Sequence, residues 1–163
     1  MSVVLLKGLG LNEVKEVLGR FLSEGINSKA VRQLAERAIA GQDDHVVAIF
    51  NFIKATFPYV PDPYGIELFR HPNLIAEQYF EGNILSEDCD GLALLAGSML
   101  GSIGHEVRLA LLDTNRDGEL DHAIAQVVTD KLGWLNVDCA SQNPLGWHIE
   151  AEGIEYITPA GGS

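Results

Sequence analysis

Three residue types, in one order along the chain, could carry acyl-transfer chemistry: a cysteine, a histidine and an aspartate. Cys89 lies in SEDCDG, just before an apolar run at helical spacing that includes Leu92, Leu95, Met99 and Ile103. A thiol at a helix start faces backbone N–H groups without intrahelical partners and the positive end of the helix dipole, and both lower its pKa. The alternative for Cys89 is packing. Its neighbours Glu87, Asp88 and Asp90 make it a poor core residue. A nucleophilic cysteine needs a base. His122 alternates with Ile124, Gln126 and Val128, and Trp134, Asn136 and Asp138 share one face of the next run. If TDKLG makes a tight hairpin, Asp138 falls opposite His122 or nearly so. A carboxylate there accepts the imidazole N–H, fixes the tautomer and stabilises the imidazolium. Taken singly, His122 reads as a satisfied strand histidine and Asp138 as a strand-end residue; the ordered set carries the functional reading. Trp134 is a candidate wall beside the histidine. Cys139 points to the face opposite Asp138, where it packs.

The elements that must position these residues are legible in the periodicity. Val14, Val17, Leu18, Phe21 and Leu22 recur at helix spacing, with Gly25 as the stop. Ser28 caps a second helix, followed past its end by Gly41, and Asp43 or Asp44 caps a third. FPYVPDPYG interrupts regular structure, because its prolines cannot continue a helix. Pro72 suits the first turn of a short helix to about Phe80. After Gly104 the period changes to two. HEVRLALL, LDHAIAQVV and WLNVDCA read as strands, GIEYITP as a further one, and the GGS tail as a frayed end. Helices first and an antiparallel sheet after them predict an α+β fold with the cysteine at a helix N-terminus. A single domain is expected over 1–163, with a helical extension at 1–27 and a core at 28–158.

One stretch competes for a different function. DTNRDGELDH places Asp113, Asn115, Asp117 and Gly118 as in the opening of an EF-hand calcium loop. The twelfth position, where a glutamate should close the site, is Ile124, and no helix flanks the loop. The preferred reading is a hairpin turn that sets the register of His122, with Gly118 free to take positive φ. A weak site from Asp113, Asn115, Asp117 and Asp121 is the alternative, and calcium is the one cofactor it would bring.

Composition narrows the classes. The 163 residues suffice for one domain with a real core. A formal net charge of −12 argues against a nucleic-acid backbone or an anionic membrane as partner. Two cysteines, with no C-x-x-C, make neither a disulfide framework nor a zinc site. The absence of a basic leader or a long apolar span leads to the expectation of a cytoplasmic, soluble protein with reduced thiols.

The ordered set resembles the transglutaminase-like superfamily of papain-related cysteine enzymes. The matches are DCD at 88–90, HAIAQV at 122–127 and WLNVD at 134–138. Upstream, YVPDPYGIELFRHP is similar to the Y-x-x-D-P-x-G-x-E segment of small members found in phage and prophage genomes, as is PLGW at 144–147. The resemblance covers roughly residues 30–148. It implies that Cys89 attacks an amide or isopeptide carbonyl of a protein or peptide, that His122 moves the proton, and that Asp138 orients His122. It also implies an oxyanion hole that uses the Cys89 N–H, with Asn83 a candidate for the second donor and a loop cap as its alternative. Two positions depart from the family pattern: Glu87 replaces a glycine and Gly91 an aspartate. Glu87 adds a negative charge near the thiol, which opposes ionisation. A non-catalytic phage assembly protein that keeps the fold, associated with the virion, is therefore carried as an alternative to the enzyme.

Overall fold

The computed structural model describes residues 3–6, 10–61 and 67–160. The GGS tail and residues 62–66 of the YVPDPYG segment lie outside them. Five helices come first among the described residues: α1 (Leu11–Ile26), α2 (Lys29–Ile39), α3 (His45–Thr56), α4 (Pro72–Phe80) and α5 (Cys89–Ser102). The antiparallel sheet follows with β3 (Val107–Asp113), β4 (His122–Thr129), β5 (Gly133–Val137) and β6 (Gly153–Ile157), in the order β5-β4-β3-β6. The fold is α+β. A two-stranded sheet of β1 (Val3–Leu6) and β2 (Glu67–Arg70) is the one element pair the periodicity does not announce. Each of these strands has only four residues, and its partner lies more than sixty positions away.

The helix ends follow local chemistry. Ser28 accepts from Val31 N at 3.2 Å and Asp44 from Val47 N at 3.1 Å. The α4 cap is an imidazole: His71 Nδ1 accepts from Asn73 N at 3.0 Å, with Pro72 next in the chain. At the end of α5, Gly104 takes φ 102°, and His105 N reaches back to Leu100 O at 3.2 Å. Gly25 does not stop α1, which runs on to Ile26. A Cβ on Gly25 would stand 2.2 Å from Ser98 Oγ, so the glycine serves the close crossing of α1 over α5.

Helix α5 is buried on all sides from Gly91 to Leu100, which is why its residues are apolar all round. Leu18, Phe21 and Leu22 of α1, inside the 1–27 segment expected as an extension, belong to the same core cluster as α5. The sheet offers α5 one face: Leu109 and Leu111, Ala123, Ala125 and Val127, and Val137. Ala110, Leu112 and Ile124 pack on the other face, against Ile149 and Ala151. The β4–β5 register pairs Ala125 with Val137 and Val128 with Trp134, and Gly133 takes φ 67° in the turn. Asp138 therefore falls level with Ile124, one diagonal step from His122.

Candidate active site

Cys89 is the first residue of α5, and its half-buried sulfur takes hydrogen bonds from the backbone N–H groups of Ala123 and Asp90. Ala123 follows His122 directly, so the thiol lies against the very start of β4. The low thiol pKa expected from a helix start does not hold. Burial pushes the Cys89 thiol well up, and the charges of Asp90 and Asp88 push it further. Burial is the main reason, and the cap adds to it. Asp88 accepts from Gly91 N at 2.9 Å, so a carboxylate takes one of the free helix amides and sets a negative charge at the positive end of the dipole. Cys89 rests as a thiol.

The base is built across two strands. His122 Nε2 and Asp138 Oδ2 are 3.0 Å apart. With Asp138 accepting the Nε2 proton, Nδ1 of the neutral imidazole holds the lone pair. The hydrogen bond to Asp138 raises the His122 pKa above its ordinary value, against an opposing desolvation, and the charges of Asp138, Asp121 and Asp90 add to the rise. Burial alone would raise Asp138. The bond and charge of His122, the Ser141 hydroxyl and the Ala140 N–H outweigh it and hold the carboxyl below the ordinary range. Ser141 Oγ donates to the same Oδ2 at 2.8 Å, and Ala140 N to Oδ1 at 3.2 Å. Asp138 is 3% exposed, so these donors replace the water it has lost. The Asp-x-x-Ser spacing of 138–141 is a side-chain-to-backbone turn signature that points to Ser141 from sequence.

Tyr59 joins the site from outside the expected set. Its backbone forms a parallel bridge with Glu87. Burial raises the phenol pKa, as do the nearby charges of Asp88 and Asp138. The group stays protonated and available as a donor. Glu87 is not the charge that chiefly burdens the thiol. It is buried and paired with Arg70.

Two candidates sit elsewhere. The Asn83 amide donates to Gln78 Oε1 at 2.9 Å and its N–H to Gln78 O at 2.8 Å, closing the end of α4. Trp134 pairs with Val128, six residues along β4 from His122 and thus about 20 Å away. Its ring faces the Arg108 guanidinium, 4.0 Å from the centroid. Cys139 is buried in the core, with its thiol pushed up to about 12 by burial and Asp138. Both cysteines are free.

In the 113–122 loop, Asp113, Asp117 and Asp121 offer ligand atoms within 4.8 Å of one another, the one such group among the described residues that could hold a cation. The same carboxylates hold the turn: Asp113 accepts from Asp117 N and Gly118 N, and Asp121 from Thr114 N and Asn115 N. Asn115 thus enters through its backbone N–H. Ile124 is 1% exposed in the apolar cluster, so the twelfth position supplies no side-chain ligand. Gly118 at φ 84° completes the turn that pairs Leu112 with His122.

No described helix is long and apolar enough to cross a membrane. No protein-family model matches the chain. No curated protein matches it either. Its fold is similar to a crystal structure named "a putative cysteine protease from Cytophaga hutchinsonii", with a TM-score of 0.55 at 14% identity. That likeness covers 96% of this chain, which spans only 58% of the other. At this identity the likeness speaks for the fold alone.

Proposed function

We propose that this chain is a transglutaminase-like cysteine hydrolase or acyl transferase that acts on amide or isopeptide bonds of a protein or peptide. Two observations support the reading: a helix-start thiol hydrogen-bonded to the N–H of Ala123, the residue after His122, and a His122 imidazole held by the buried Asp138 carboxylate. The resemblance to small phage-borne enzymes supports it. In this reading His122 Nδ1 takes the Cys89 proton as sulfur attacks the carbonyl carbon. The C=O electron pair moves to oxygen, facing the Cys89 N–H. When the C–N bond breaks, the amine leaves with the proton from His122, and a thioester remains on Cys89. Water then gives hydrolysis and an amine gives transamidation; each returns the thiol to Cys89 through His122. Asp138 keeps its charge throughout and holds the imidazolium in place.

The raised thiol supports a second reading, a binding protein that keeps the fold without turnover. Iodoacetamide at neutral pH, with the adducts mapped, separates the two. The enzyme reading expects Cys89 to label at least about tenfold faster than Cys139, and His122→Ala to remove the difference, as general-base assistance is worth about 10²–10⁴. Equal, slow labelling of both thiols overturns it.

A further inference from the structure

The acid two residues before Cys89 has a different job from the one its charge suggests. We propose that Arg70 and Glu87 form a lock that positions the Cys89 turn, and that residue 91 lacks a side chain so that the lock can close. This rests on the reading of Cys89 as a nucleophile. Arg70 Nη1 donates to Ser86 O at 3.0 Å and to the Glu87 carboxylate, so one guanidinium grips two consecutive residues of the turn. The Glu87 backbone is held on both sides as well: its N–H donates to Pro58 O at 3.0 Å, and its carbonyl accepts from Val60 N at 2.8 Å. Glu87 is 6% exposed. A group so enclosed, with main chain and side chain bound to separate segments, has little freedom to shift.

Gly91 makes this possible. A Cβ there would stand 2.2 Å from Glu87 Oε1 and 3.0 Å from both the Cβ and the Cδ of Glu87. The Cβ contact is next to the backbone, so rotating the carboxylate tip of the glutamate relieves only the contacts at Oε1 and Cδ. Gly91 also donates its N–H to Asp88, the cap of α5. Glycine is otherwise a poor choice inside a helix. Its presence follows from the space Glu87 occupies, and the two departures from the family pattern are one coupled change. The carboxylate faces a guanidinium, and the charges that chiefly burden the thiol are those of Asp90 and Asp88. Glu87 is a positioning residue.

The test is a mutant cycle read by the labelling rate of Cys89, with thermal unfolding followed in parallel. Gly91→Ala is expected to slow Cys89 labelling about tenfold or more, since misplacing a reacting group by about 1 Å costs up to about 10²-fold. In a Glu87→Gly background the same substitution is expected not to slow it, because the space is then open. Equal slowing in both backgrounds, or slowing in neither, overturns the lock. If Gly91→Ala does not fold, the isosteric Glu87→Gln and Arg70→Met carry the cycle. Each alone slows labelling, the double variant slows it no further, and Arg70→Lys recovers part of the rate. Additive effects overturn the proposal. Labelling needs no substrate. Loss of Cys89 selectivity in the parent protein sinks the nucleophile reading; selective labelling with an additive cycle sinks only the lock.

Discussion

At the scale of the residue, the His122–Asp138 pair has the clearest consequences. Asp138 raises the His122 pKa, so Asp138→Asn is expected to lower it. Proton NMR titration of the imidazole checks this, and an unchanged His122 pKa would remove Asp138 from its role. The linkage has two edges. The His122 pKa is raised on folding, so its stabilising share is full below the ordinary value of 6.5 and fades as pH rises through the folded pKa. Asp138 is depressed, so its share is full above 3.8 and fades as pH falls through the folded pKa. The stability gap between the parent protein and Asp138→Asn should therefore be widest between these two values and narrow on either side. Urea denaturation across pH measures it. Ser141→Ala removes one donor to a buried carboxylate and should cost about 1–3 kcal/mol.

At the scale of the element, the α5 N-terminus combines two opposed effects in Asp88. The carboxylate caps the helix through Gly91 N and burdens the thiol. Asp88→Ala should cost about 0.5–2 kcal/mol of stability while bringing the Cys89 pKa down. Asp88→Asn retains a capping oxygen without the charge, so it should keep most of the stability and still lower the thiol pKa. Thiol titration beside thermal unfolding separates the two; a Cys89 pKa unmoved in both variants would refute the electrostatic account. The 113–122 hairpin makes an equally definite case. Its carboxylates already accept the N–H groups of the turn, so calcium must displace those bonds to bind. Isothermal titration should find no micromolar affinity; a micromolar isotherm would make the loop a site.

At the scale of the whole molecule, the seam between α1 and α5 decides how the helical layer closes. Gly25→Ala would set a Cβ 2.8 Å from Ser98 Cβ and should cost about 1–3 kcal/mol through overpacking. Ser98 Oγ is buried without a hydrogen-bond partner among the described residues. Ser98→Ala should therefore be neutral or stabilising, read as a shift in denaturant midpoint at constant slope; a large loss would reveal a partner for the hydroxyl. The sequence by itself determined what local chemistry controls. Ser28, Asp44 and Gly104 mark helix ends through bonds to neighbours a few residues away, and period-two alternation sets the faces of β3 and β4. The His122–Asp138 contact was legible for the same reason, since short turns bring adjacent strands into register. Tertiary structure alone decided the β1–β2 pairing, the helical path through Gly25, the Arg70–Glu87 contact and the placing of Asn83 and Trp134 away from His122. It also decided the state of the thiol. Helix-start geometry favours a thiolate, but desolvation depends on segments distant in sequence, and together with the adjacent charges of Asp90 and Asp88 it outweighs that geometry at Cys89.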